Sequence, residues 1–334
     1  MTTTVETAVS PLAVPLAGER RSGHGALAFL VARRVLAGVL VLWAAITATF
    51  LAIQLAPGDT VSLLLGENRD DPVLRAQTIE RWGLNQPLWV QYLTYLRRIP
   101  SGDLGISYTL RQPVAHLIAI NAGPTFTLAA VAAAGAIVIA ILGALIVTSP
   151  VHWLRPLVSG YELIMVSAPS FWLAIVLLWL FSFELGWFSI VKQGSWQALV
   201  LPAASLALPI GAYLSQLLVS GIDRAMEQPF IITTRARGSS LLAARIQHAL
   251  RHAALPALHM LGLIVGSLLG GAVIVEQVFG RVGLGQLLVD AVKVKDMPLI
   301  LGVTLVTTAV FVAASTVVDI LGTLIDPRTK GNLR

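Results

Sequence analysis

Six times along this chain the side chains turn apolar for about twenty residues or more: Val35–Ala56, Thr125–Val147, Leu157–Phe183, Leu199–Ile222, Leu255–Phe279 and Leu299–Ile325. A run of that length lets an α-helix cross a hydrocarbon layer ~30 Å thick. Lipid cannot satisfy an unpaired peptide group, so an open chain crosses it only as helix. The sequence therefore predicts an all-α integral membrane protein with six transmembrane helices. Pro169, Pro202 and Pro209 lie in the third and fourth runs and predict kinks there.

Charge fixes the expected orientation. Only 12% of residues are charged and 56% are hydrophobic, against roughly 25% charged in soluble domains. A net charge of +6 does not call for nucleic acid, because membrane proteins concentrate Lys and Arg in cytoplasmic loops. With the N-terminus inside, the inner segments hold Arg20, Arg21, Arg33, Arg34, Arg155, Arg224, Arg235, Arg237, Arg245, Arg251, Arg328, Lys330 and Arg334, whereas the short outer loops hold Lys192, Arg281, Lys293 and Lys295. Both termini are predicted to be cytoplasmic, in a multi-pass protein of the inner or plasma membrane. Residues 1–31, rich in Thr, Ala, Pro and Gly without helical periodicity, read as a disordered cytoplasmic tail before a transmembrane domain over 32–334. Arg33-Arg34 precede an apolar run longer than the 7–15 residues of a signal-peptide core, which predicts an uncleaved first span. The chain has no cysteine, which excludes disulfides, thiolate metal sites and a cysteine nucleophile.

Two connections carry more information than the spans. The outer loop Gly58–Pro124 (residues 58–124) is too polar for lipid and too long for a plain connector. Asp71-Pro72 ahead of Val73, Leu74, Ile79 and Trp82 predicts a short amphipathic helix. Trp89, Tyr92, Leu93, Tyr95 and Leu96 then repeat at helical spacing. They suit either a helix resting at the membrane interface or a receiving surface for an outside partner. The inner loop Asp223–Ala254 (residues 223–254) carries five arginines, Thr233-Thr234, Gly238 and Ser239-Ser240, and sets Leu242, Ile246, His248, Ala249 and His252 near one another at helical spacing. It reads as a solvated basic loop, a segment drawn to anionic lipid, or a short helix that inserts in a groove of a cytoplasmic partner.

Several patterns fail as chemistry. His248 and His252 stand four apart, but no Glu follows His248 and no carboxylate lies nearby, so no metal site is expected. Gly280-Arg-Val-Gly-Leu-Gly285 has the wrong order for a dinucleotide cradle and reads as a tight outer turn. The chain lacks G-x-x-x-x-G-K-[ST], so any ATP used in transport is bound by another polypeptide. Glu162, Glu276 and Asp319 fall inside or at the ends of apolar spans, where a charge costs roughly 2.5–3.5 kcal/mol. They either line a translocation path or hydrogen-bond a neighbouring helix, with Glu276 close to the outer edge. Tyr213, Ser215 and Gln216 add a polar stripe to the fourth span, and Gly262, Gly266, Gly270 and Gly271 let a helix approach the fifth closely.

In order along the chain, these features resemble the membrane permease subunit of a dipeptide or oligopeptide ABC importer, from about Arg33 to Arg328. The resemblance is carried first by Arg33-Arg34, Pro57-Gly58-Asp59, Gly83-Leu84-Asn85-Gln86-Pro87 with Tyr92, and Gly102-Asp103-Leu104-Gly105. It continues in Thr233, Thr234, Arg235, Ala236, Arg237 and Gly238, which open a segment similar to the family's ATPase-coupling loop, closed by Leu255-Pro256. Glu276, Phe279, Gly283-Leu284-Gly285, Asp296, Pro298 and Asp326-Pro327 follow. The chain departs from the pattern at Ile232, where a charged residue is common, at Thr234, where alanine is usual, and at Val282, where proline is frequent.

The resemblance implies a type I ABC importer permease fold and alternating access. An extracytoplasmic substrate-binding protein would deliver a peptide, with Asp59, Trp89, Tyr92 and Asp103 as candidate docking residues. Two ABC ATPase subunits, holding ATP and Mg, would drive the loop through Thr233, Thr234, Arg235, Arg237, Gly238, Ile246, Leu255 and Pro256. A second homologous permease would complete a pathway for which Glu162, Tyr213, Gln216, Glu276 and Asp319 are candidates. This chain would be no enzyme and hold no cofactor of its own. Relatives of such permeases handle peptides, glutathione or metal chelates, so the substrate is open. A proton-coupled secondary transporter, with the intramembrane acids as proton sites, is the alternative of another class.

Overall fold

The computed structural model describes residues 23–149, 153–189 and 195–325. Their regular structure is helical, with one isolated antiparallel bridge between Ile106 and Pro113. Helix α1 (Gly23–Leu55) begins inside the expected disordered tail, so residues 23–31 are helical, while residues 1–22 lie outside the described residues. Ala26-Leu27-Ala28-Phe29-Leu30 continue the apolar run, and a helix once nucleated extends through such residues at little cost. The chain divides at Leu40 into two units, and the packing described below belongs to the unit from Val41 onward.

Three short helices follow: α2 (Thr60–Leu65), α3 (Pro72–Trp82) and α4 (Leu88–Arg98). Asp59 caps α2 through the amides of Val61 and Ser62, and Asp71 caps α3 through those of Val73 and Leu74, with Pro72 in the first helical position.

Helix α5 (Val114–Val147) begins well before the expected Thr125 because Pro124 lies inside it rather than at its edge. Likewise α8 (Gln197–Met226) continues through both Pro202 and Pro209. Neighbouring helices re-satisfy what a proline frees in such spans. The third apolar run behaves differently. It is a bent pair, α6 (Leu154–Ser167) and α7 (Ser170–Leu177, extended by a π turn over Leu178–Glu184), meeting at 110°. Ala168, next to Pro169, is extended at φ −79°, ψ 126°, as the clash with a following proline ring favours.

The remaining elements are α9 (Pro229–Ala236), α10 (Leu241–Ala244), a π turn over Arg245–Ala249, α11 (Leu250–Phe279), α12 (Leu284–Lys293) and α13 (Met297–Ile325). Among the described residues five helices are long and apolar enough to cross a membrane, or six if the bent pair counts as one span.

Small residues set the packing. On α5, Leu128, Ala132, Ala136, Ala140 and Ala144 recur every fourth residue and are no more than 2% exposed. They form one face of a 3.6-residue helix, and Leu128, Ala132, Ala140 and Ala144 belong with Leu206, Leu214 and Leu218 of α8 to a single core cluster. In lipid, apolar burial gives little drive to associate, so close van der Waals packing of this kind supplies it. A second cluster joins Val114, Leu117 and Ile118 at the start of α5 to Leu284 and Ala291 of α12 and to Leu299, Ile300 and Val303 of α13. A third sets Ile46 and Phe50 of α1 against Leu301, flanked by Tyr92, Tyr95 and Leu96 of α4.

Candidate functional site

The segment resembling a coupling loop is an arm with a buried root and an exposed tip. At its root, Ile231 is 3% exposed and the Phe230 ring lies 5.0 Å from that of His252. Ile222 and Ala225 of α8 join Ala249 and Ala253 of the returning helix in the main core cluster, with Phe230 packed against it. At the tip, Ile232 is 72% exposed, and Thr233, Arg235, Arg237 and Gly238 are exposed beside it. The Thr234 hydroxyl donates back to the Phe230 carbonyl at 2.9 Å. The chain reverses at Gly238, where φ is +89°, and re-enters helix at Ser240, whose hydroxyl accepts the Ala243 N–H at 3.2 Å.

From Leu241 to Phe279 helical turns follow one another without a loop. The loop was expected to close on Leu255-Pro256 at the mouth of the fifth span. Instead the span's helix extends back to Ser240, with Leu255 and Pro256 inside α11, although their side chains lie outside the described residues. Leu242 and Ile246 stand four apart on one exposed face of this rod. The segment after the Gly238 turn is thus continuous with α11.

Two of the intramembrane acids, Glu162 and Glu276, are tied within the chain. Glu162 of α6 is 4% exposed and accepts a hydrogen bond from the Ser215 hydroxyl of α8. The expected stripe on α8 splits accordingly: Ser215 turns in, while Tyr213 and Gln216 are exposed. Glu276 is fully buried. Its Oε1 accepts from the Thr125 hydroxyl at 2.6 Å, and its Oε2 from the amides of Gly285 at 2.7 Å and Gln286 at 3.2 Å. The Thr125 hydroxyl in turn accepts the Leu284 amide at 2.8 Å. One carboxylate thus pins the start of α12 to α11 and α5, near the positive end of the α12 dipole. Gly285 is required by proximity, since an added Cβ would lie 2.3 Å from the Val273 Cα and 2.8 Å from the Glu276 carboxylate. Within this chain Glu162 and Glu276 are both buried and hydrogen-bonded between helices, as a buried carboxylate requires. The Asp319 side chain lies outside the described residues.

The candidate docking residues also separate. Trp89 is 67% exposed. Tyr92 turns toward α1: its hydroxyl is 2.6 Å from that of Thr47 and its ring 5.3 Å from Phe50, so it packs instead of presenting a surface. Asp103 accepts from the Gly105 amide at 2.9 Å and lies 4.0 Å from Arg98. Asp59 accepts from the Ser62 hydroxyl at 2.7 Å and pairs with Arg75 at 2.8 Å. The Ser62 bond, with help from Arg75 and the backbone amides, brings its pKa from 3.8 down to about 2. A lowered carboxylate pKa supports the α2–α3 turn above pH 3.8 and loses that support as pH falls through about 2. Amide exchange at Val61 and Ser62, corrected for intrinsic rate, is expected to show constant protection above pH 4 and declining protection below it. Protection that stays level to pH 2 counts against the assigned role.

Two residues that hold the polar segment in place were not singled out as site residues from sequence. Lys295, 7% exposed, donates from Nζ to the carbonyls of Ala56 at 2.6 Å and Gly58 at 2.7 Å. Asp296, fully buried, accepts from the Ser107 hydroxyl at 2.6 Å and the Thr109 amide at 3.0 Å. Asp296 just before Met297-Pro298 is a helix-start pattern, which signals the cap but not the partners.

Between α4 and the start of α13 lies a cleft of about 660 Å³. Its walls include Trp82 and Tyr108, whose rings stand 4.8 Å apart, and Arg81 lies 5.3 Å from the Trp82 ring. Burial, reinforced by Asp296 and opposed by Arg98, pushes the Tyr108 hydroxyl up to about 12. Burial also pushes the Tyr95 hydroxyl up, and that hydroxyl has no hydrogen-bond partner.

The family described as "Binding-protein-dependent transport system inner membrane component" matches residues 136–331, and the corresponding N-terminal family matches residues 26–129. A protein of Brucella abortus (strain 2308) named for a peptide transport system permease is 36% identical over 310 residues, covering 90% of this chain and 98% of that protein. The glutathione transport system permease protein GsiC of Escherichia coli (strain K12) is 33% identical over 298 residues, covering 89% and 97%. A crystal structure of an amino acid ABC transporter with histidines aligns at a TM-score of 0.48 and 17% identity, over 64% of this chain and 94% of that one.

Proposed function

The chain belongs to the family of inner membrane components of binding-protein-dependent transport systems, and on that premise we propose that it is one permease subunit of an ATP-driven importer of peptides. A second, homologous permease completes the pathway. Two ABC ATPase subunits bind ATP and Mg on the cytoplasmic side, where both termini of this chain lie, and an extracytoplasmic protein delivers the peptide to the segment between α1 and α5. The family assignment displaces the proton-coupled secondary transporter.

The observation that carries the reading is the arm. An exposed tip bearing Ile232, Thr233, Arg235 and Arg237 joins a rod that leads without interruption into α11. A force-transmitting element must be stiff and must offer a face for its engine. The buried root provides the first, and Ile232 with Leu242 and Ile246 the second, in the manner of a helix seated in a groove. Where the family commonly has a charge at the position of Ile232, this chain offers an apolar contact, so its ATPase groove is expected to be apolar there. The peptide substrate class is supported by the name of the Brucella relative; glutathione, a tripeptide, falls within the same panel.

The test is uptake into proteoliposomes holding the assembled transporter. Di- and tripeptides, glutathione included, are supplied with the binding protein. Uptake that needs ATP inside the cytoplasmic-facing compartment and survives collapse of the proton gradient is expected. Uptake that follows the gradient and ignores ATP overturns the reading.

A further inference from the structure

We propose that the cleft between α4 and the start of α13 is a subsite for a free peptide, holding its charged termini in the permease itself; this rests on the peptide-import reading. The argument begins with what the cleft contains. Its volume of about 660 Å³ lies within the range of small-molecule sites, roughly 300–1,000 Å³. Its lining carries both signs of charge close together: Arg98 Nε is 4.0 Å from Asp103 Oδ2, too long for a firm pair, and Arg81 lines the cleft nearby. A zwitterion is the ligand that satisfies such a pair, its carboxylate taking a guanidinium and its ammonium the freed Asp103 oxygen.

The walls suit the remainder of a peptide. Trp82 and Tyr108 form a tilted aromatic pair with centroids 4.8 Å apart, a surface for an apolar side chain or for the edge of a peptide bond. Mixed charges and an aromatic wall together are more specific than the crevice any amphipathic helix leaves beneath it. The position is apt as well, because Met297, Pro298 and Leu301 at the start of α13 form part of the lining. Occupancy would therefore be felt by a membrane-spanning helix.

The experiment titrates the assembled transporter in lipid nanodiscs with alanyl-phenylalanine by calorimetry, with no binding protein and no ATP present. Saturable binding is expected, weakened about tenfold by blocking both termini of the peptide as acetyl and amide. Arg98→Ala is expected to weaken binding by a similar factor. Val90→Trp, which fills the cleft from its lining without touching a charge, should abolish it. Binding that is absent, indifferent to Val90→Trp, or replaced by a co-purified phospholipid that no peptide displaces overturns the subsite while ATP-driven uptake stands. Cleft-dependent binding in a transporter that imports no peptide supports the subsite and retires the import reading alone.

Discussion

Glu276→Ala is expected to cost about 3–5 kcal/mol, from buried donors left without an acceptor. That is a large share of the roughly 5–15 kcal/mol that keeps a typical protein folded. The substitution strands three donors, the Thr125 hydroxyl and the amides of Gly285 and Gln286, and each buried unpaired donor costs about 1–3 kcal/mol. Glu276→Gln separates charge from connectivity. Its carbonyl can take the two amides while its NH₂ turns to the Thr125 oxygen, so a loss of only about 1–2 kcal/mol is expected. Gly285→Ala reaches the same end by sterics, because its Cβ would stand 2.3 Å from the Val273 Cα. Heating the purified chain in detergent and scoring the monodisperse fraction by size exclusion should rank Glu276→Ala with Gly285→Ala, both well below Glu276→Gln and wild type. If Glu276→Ala melts alongside Glu276→Gln, the three donors find other partners and the pin at α12 is not what holds this end of the molecule.

That contact shows where sequence reading reaches its limit. Runs of apolar residues report helices because the lipid requirement acts locally, residue by residue, and the long helices follow from it. Prolines were the weak point. Pro124, Pro202 and Pro209 look alike in sequence to Pro169, yet α5 and α8 run through the first three and only Pro169 separates two helices. The difference lies in what packs around each, which periodicity does not encode. For the coupling segment, basic composition suited a solvated loop and the spacing from Leu242 to His252 a short helix, and the backbone is helical from Leu241 onward. Glu276 and the Gly283-Leu284-Gly285 turn were visible separately, but the Thr125 hydroxyl that joins them comes from 151 residues away. For Tyr92 the spacing was right and the direction was not, since helical periodicity groups residues on a face without saying which way that face points.

Gly238→Val is expected to separate ATP hydrolysis from transport. At φ +89° a β-branched side chain is strained by about 1–3 kcal/mol. Nothing stands within 4 Å of the added Cβ, so the variant does not clash with the core. The strain is relieved by rotating the turn, which shifts the exposed tip from Ile232 to Arg237 against the rod that begins at Ser240. The root stays in place, because Ile231 and the crossing of α8 and α11 at Gly221 and Ala253 lie on the far side of that turn. Insertion and assembly should therefore persist while the tip meets its ATPase in the wrong orientation. A misalignment worth 1–3 kcal/mol corresponds to about 5–150-fold in coupling, so peptide imported per ATP hydrolysed should fall by at least about fivefold. Gly160→Val, placed where no neighbour lies within 4 Å and φ is not positive, controls for bulk alone. The ratio is read in proteoliposomes from peptide uptake and phosphate release in the same sample. If Gly238→Val keeps the wild-type ratio, force does not pass through this turn and α9 is only a tether; if Gly160→Val loses the ratio equally, the effect is one of side-chain size and not of the turn.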